Sequence, residues 1–267
     1  MAYIRERTQP VAADTAGKLL DGEIVVIVLP NQAAQEVTDT HARELSRCYI
    51  DPAILQLLAN NNGLTLAEQL AEFLPDKANI RSGDFGEILC RQYLSETDGN
   101  PSFPVYRWRN RSNKNDTVRG TDLIGYLMTG PDPSDDDTLY LCEVKTRAST
   151  VKPEIVQEAY QGMEKDFASR AANSLYFCQA RLAQDGLAEE AQRLARYTNP
   201  HRRPFKKKLV AAVVHADALW QDDFLEVLPE KHGLSADVAV LVLRVENLAG
   251  WIDQVYAAAP AVVGQDA

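Results

Sequence analysis

Positive charge is scarce in this chain. Its 28 Lys and Arg face 38 Asp and Glu, a formal net charge of −10. That excludes a whole-surface affinity for nucleic acid, because neutralising phosphates takes Lys and Arg, and any such binding has to be local. Cysteine is sparse too. Cys48, Cys90, Cys142 and Cys178 are scattered without a CxxC pair, so neither a zinc site nor a disulfide framework is expected, and a reduced, cytoplasmic setting follows. No apolar run is long enough to span a bilayer. The run at residues 24–29 is short and stops at Pro30 without the basic lead and cleavage site of a signal peptide. No membrane partner is expected.

What is present is concentrated in residues 138–147, TLYLCEVKTR. Leu139, Tyr140, Leu141 and Cys142 read as a strand of a covered sheet. Glu143 and Lys145, two residues apart, then project from the same face of it. An ordinary edge-strand ion pair would explain these two alone. Upstream, residues 120–130, GTDLIGYLMTG, place Asp122 just ahead of a second apolar strand, where Asp is disfavoured. The 21-residue separation of Asp122 and Glu143 suits adjacent antiparallel strands joined by the acidic loop 131–137, which would bring the two carboxylates together. Convergent carboxylates repel and raise a pKa, yet they suit a divalent cation that takes oxygen ligands.

A third carboxylate, Glu87, lies in GDFGEILCRQYL. Phe85, Ile88, Leu89, Tyr93 and Leu94 recur at helical spacing, with Asp84 as N-cap or first-turn acid. Glu87 then either borders the buried stripe or occupies the first turn, where the helix dipole favours an acid.

Glu87, Asp122 and Glu143-Val144-Lys145, in this order, resemble the PD-(D/E)XK nuclease superfamily, whose pattern is a helix-borne Glu, then Asp, then Glu-X-Lys at a strand end. More narrowly, GDFGE, RGTD and EVK are similar to HamA, the nuclease family of the Hachiman antiphage defence system. The resemblance implies an α/β, restriction-endonuclease-like fold with a mixed central sheet flanked by helices. It also implies metal-dependent hydrolysis of DNA and control by a helicase subunit. Asp122, Glu143 and the Val144 carbonyl would hold Mg2+, with Mn2+ as an alternative, and Glu87 would add a ligand or bind a water. Lys145 would orient the nucleophile and stabilise charge on the phosphate. Gln157 and Tyr160 depart from the Gln-X-X-X-Tyr spacing of some superfamily members, and a polar helix edge explains them as well. Two other readings stay open: a nuclease fold that binds or regulates without cutting, and a restriction-type endonuclease with residues 1–80 as recognition lobe. Those residues are poor in Lys and Arg.

Three stretches organise the chain. Residues 1–80 read as an α+β packing or partner-binding lobe, with a strand at 23–29 and helices near 38–47, 52–59 and 66–73. Residues 81–259 read as the nuclease-like domain, and 260–267 as a disordered tail. Within the domain, helices are expected from Pro153 to Phe167 and over 174–197, strands at 209–214 and 238–245, and a closing helix near 247–257. The continuous apolar strands belong to a sheet covered on both faces. Two basic clusters flank this core as candidate nucleic-acid contacts: Arg107, Arg109, Arg111, Lys114 and Arg119, interleaved with Tyr106 and Trp108, and then Arg202, Arg203, Lys206, Lys207 and Lys208 beside His201. The second also reads as a solvated face or as gatekeepers beside an apolar strand.

Overall fold

Apolar runs become the strands of one sheet in the computed structural model, which describes residues 23–29, 35–96, 100–226 and 237–264. The strands are β1 (Glu23–Leu29), β2 (Leu123–Leu127), β3 (Thr138–Arg147), β4 (Lys206–Ala216) and β5 (Asp237–Val245), in the order β1-β5-β4-β3-β2. β1, β5, β4 and β3 run parallel. β2 pairs antiparallel with β3, Leu123 opposite Cys142, as the spacing of Asp122 and Glu143 implied. The sheet is mixed and α/β. Leu209 to Val214 are each at most 1 % exposed, which is why β4 alternates so little: both of its faces are covered.

The helices α1 (Gln35–Tyr49), α2 (Pro52–Asn62), α3 (Leu66–Ala71), α4 (Ala78–Ser95), α5 (Ile155–Lys165), α6 (Ala171–Gln184), α7 (Ala188–Ala195) and α8 (Leu248–Val262) supply those covers. Side chains of α1, α4 and α8 pack with Cys142, Val144, Val210 and Ala212 on one face. Side chains of α5, α6 and α7 pack with Leu139, Leu141, Leu209 and Val213 on the other. β3 therefore sends alternate residues into two separate cores, and the odd-numbered ones, Glu143 and Lys145 among them, share the α5 side. α4 lies close on β3 because Gly86 has no side chain where a Cβ would run into the Thr146 hydroxyl.

Three boundaries differ from the sequence expectations. α4 begins at Ala78 with Lys77 at its N-cap position, so Asp84 is neither N-cap nor first-turn acid and Glu87 lies beyond the reach of the helix dipole. The helix expected over 174–197 is two, α6 and α7, separated at Gly186, whose φ of +79° suits a residue without a Cβ. The tail expected from residue 260 begins inside α8, which carries Pro260 and Val262; residues 265–267 lie outside the described residues, as do 1–22 of the expected N-terminal lobe. From that lobe, β1 joins the sheet beside β5, and Ala42, Leu45 and Leu70 share a core with α8. Ile27, fully buried, needs that cover. No helix among the described residues is long and apolar enough to cross a membrane.

Candidate active site

Asp122 precedes β2 and stands opposite Glu143, one step along the register from Leu123 and Cys142. Its Oδ2 accepts the Val144 backbone N–H at 2.9 Å, which ties the two strands together where the apolar part of β3 ends. The Lys145 ammonium donates to the Glu143 carboxylate, the same-face contact expected from period-two alternation. α5 crosses directly over this pair. A Cβ on Gly162 would stand 2.7 Å from the Glu143 carboxyl, so glycine is what lets the helix approach. Burial pushes the Glu143 carboxyl up to about 7, and the Asp122 charge adds to this against the pull of Lys145. Burial opposes the Lys145 ammonium, but Glu143 and then Asp122 outweigh it and raise its pKa.

Glu87 belongs to the other face. α4 brings it to Arg107, whose Nε lies 3.9 Å from Glu87 Oε2 while Nη1 donates to Asp122 Oδ1 at 2.5 Å. The third nitrogen donates to the Val118 carbonyl. Burial holds the Glu87 carboxyl well above the usual carboxylate range, with Arg107 countering it. Behind this pair, Arg111 grips Asp84 through two hydrogen bonds of 2.6 and 2.5 Å, and the Tyr49 hydroxyl also donates to Asp84. The expected quartet is thus split. Asp122, Glu143 and Lys145 come together, and Glu87 reaches them only through Arg107 and Asp122.

The first basic cluster is largely spent on this architecture. Arg107 and Arg111 are buried counter-ions. Arg109 binds the Arg47 carbonyl at 2.6 Å and stacks over Tyr106, and Lys114 pairs with Asp76 at 3.0 Å. Only Arg119 of the five is exposed, and it lines a cleft of about 940 Å³ with Asp122 and Glu143 at its wall. α6 and the turn before it complete the lining with Arg170, Asn173 and Phe177. The second cluster begins β4, where Lys206 pairs with Thr138, five residues before Glu143; at about 3.3 Å per residue that is roughly 17 Å away. There Lys206 pairs with Asp136 at 2.8 Å, Lys207 packs over the Phe167 ring, and Arg202 and Arg203 are exposed. Arg170 of the cleft and the buried Asp166 that it bonds carry no signal in the sequence. Arg170 points no periodicity at a site, and Asp166, only 1 % exposed, resembles any other helix acid in the sequence. Tyr160, fully buried, is a core residue.

No group of three or more His, Cys, Asp or Glu side chains is placed to hold a metal ion among the described residues. Strand alternation accounts for this, since Glu87 and Glu143 serve opposite faces. The donor set nevertheless fits Mg2+, which commonly takes one or two carboxylates and completes its shell with water and substrate phosphate. Asp122 and Glu143 are such a pair, and each carboxylate oxygen keeps lone pairs beyond its present hydrogen bond.

Comparison with curated proteins returned no match. The family whose model matches is HamA, over residues 22–259, a span that holds all five strands, the Asp122–Glu143–Lys145 site and the cleft beside it. The chain belongs to the HamA family, a component of the Hachiman defence system.

Proposed function

We propose that this protein is a metal-dependent deoxyribonuclease of PD-(D/E)XK type, acting as the cutting component of its defence system. The observation that carries the reading is the meeting of Asp122 and Glu143, with Lys145 bonded to Glu143, at the wall of a cleft that Arg119 and Arg170 also line. Bound Mg2+ would supply a polarised phosphate and an activated water. Asp122 and Glu143 would hold it. Lys145, fixed by Glu143, would place positive charge beside the phosphate oxygens as negative charge builds there. Arg119 and Arg170 would receive neighbouring phosphates, giving the local attraction that an overall charge of −10 denies the rest of the surface.

A non-cutting, nucleic-acid-binding subunit is the second reading. Arg107 favours it, because its guanidinium already neutralises Asp122. Supercoiled plasmid incubated with the purified protein, with Mg2+ or with chelator, separates the two: nicking that needs Mg2+ supports the enzyme, and intact plasmid with retained binding supports the module.

The acidic surface suits an enzyme delivered to its substrate, and we infer control by a helicase subunit. The pair co-expressed should cleave duplex DNA faster than the isolated chain. Equal and vigorous cleavage by the chain alone would discard that control.

Phosphate neutralisation makes binding salt-dependent. Arg119→Ala with Arg170→Ala should lower the slope of log affinity against log salt by about 1 for each phosphate that is no longer neutralised, with little change between DNA sequences. Fluorescence anisotropy of a labelled duplex in chelator measures this. An unchanged slope removes both arginines from the interface.

A further inference from the structure

Asp166 is a buried carboxylate that the proposed chemistry has not used. It opens the π-helical turn Asp166–Arg170 between α5 and α6. Only 1 % of the residue is exposed. Its Oδ1 takes a long bond from Arg170 at 3.3 Å. Its Oδ2 is buried with no hydrogen-bond partner among the described residues. A buried carboxylate oxygen left unpaired is costly, and in a native fold it calls for a water or an ion.

Its neighbours say which. Gly162, four residues earlier and so one helical turn back on the same side, is where a Cβ would stand 2.7 Å from the Glu143 carboxyl. Asp166 interacts electrostatically with both Asp122 and Glu143. A third acid placed against two others is destabilising in a protein that holds no cation there. It is a reasonable arrangement around a divalent one. Because no three acids are close enough to share an ion directly among the described residues, Asp166 acts at one remove.

We propose that Asp166 is a positioning residue of the metal centre, its free Oδ2 accepting a hydrogen bond from a water of the hydration shell of the cation held by Asp122 and Glu143. Mg2+ and Mn2+ keep such waters when only one or two carboxylates bind them. Groups that orient the ligands of a metal commonly contribute 10–100-fold to its affinity.

This proposal rests on the metal-site reading above, and the test separates the two. Mn2+ binding to the full-length protein, followed by electron paramagnetic resonance without DNA, is compared for the wild type, Asp166→Asn and Asp122→Asn. The expected result is a Kd raised about 10–100-fold by Asp166→Asn and binding lost in Asp122→Asn, with the metal-free Asp166→Asn unfolding at or above the wild-type temperature. A role confined to structure would lower that temperature and leave the Kd of the folded fraction alone. Should Asp166→Asn fail to fold, Asp166→Ser removes the charge with less bulk and carries the same expectation. Unchanged Mn2+ affinity in the folded variant overturns the role of Asp166 and leaves the metal site standing. Absence of saturable binding in the wild type, matched by Asp122→Asn, overturns both.

Discussion

Glu143→Gln and Asp122→Asn should each reduce Mg2+-dependent DNA cleavage by at least about a hundredfold while leaving the protein folded. A bound cation contributes several kcal/mol to charge stabilisation in the transition state, and every 1.36 kcal/mol is tenfold in rate. Neither substitution changes shape, and both leave the strand pairing of β2 and β3 intact. The same change at Glu143 has a signature without substrate. Its carboxyl titrates near 7 in the folded protein, raised first by burial and then by Asp122, against about 4.3 for an unperturbed Glu. At low pH the group is protonated in both states and costs nothing. As pH rises from about 4 to 7 the unfolded chain ionises first, so stability is lost across that window. Glu143→Gln does not ionise, so its melting temperature should gain on the wild type between pH 5 and pH 8, by about 2–4 °C for each kcal/mol. Gel assays of plasmid and thermal melts at two pH values check both parts. Variants that cut like the wild type would place the active site elsewhere.

Arg107→Met should be the most destabilising single change at the site. Arg107 is 7 % exposed and bridges Glu87 and Asp122, and burial already strains the Glu87 carboxyl, whose pKa stands well above the usual range. Removing one partner of a buried ion pair leaves an uncompensated charge and costs about 3–5 kcal/mol. At roughly 2–4 °C per kcal/mol the melting temperature should fall by roughly 6–20 °C. If the cost is the stranded acid, Glu87→Gln in the same chain should restore part of it, and the double-mutant cycle gives the coupling. A fall of under about 2 °C in Arg107→Met, with no rescue by Glu87→Gln, would show that the guanidinium is not the counter-ion of this site. The same arginine bears on function: Mg2+ would compete with it for Asp122, so neutralising Arg107 is also expected to strengthen metal binding in whatever protein stays folded.

Much of the sheet was legible because its signal is local. The run from Leu139 to Lys145 encodes its own alternation, and the apolar residues 209–214 and 238–245 announce strands buried on both faces. Asp122 and Glu143 were legible as a pair because an acidic loop of hairpin length separates them, so their convergence followed from chain connectivity alone. Glu87 was legible as a helix residue, but not the face it serves. That depended on where α4 begins and on Gly86, which lets the helix settle onto Thr146. The basic cluster from Arg107 to Arg119 looked like a nucleic-acid contact because charge in sequence carries no record of its counter-ion. Asp84 and Arg111 lie 27 residues apart, Glu87 and Arg107 lie 20 apart, and only packing joins them.

By itself, then, the sequence determined the strands, the antiparallel pairing of β2 with β3, and the shared face of Glu143 and Lys145, all of which follow from period-two geometry and short connections. The tertiary structure decided which arginines are buried, which of the four expected residues meet, and that Arg170, bonded to the buried Asp166, joins the cleft. Those outcomes depend on helices crossing a sheet at a given height, as α5 does over Glu143 where Gly162 leaves room. Desolvation and long-range pairing, which raise the Glu143 and Lys145 pKa values, arise only when those layers close on one another.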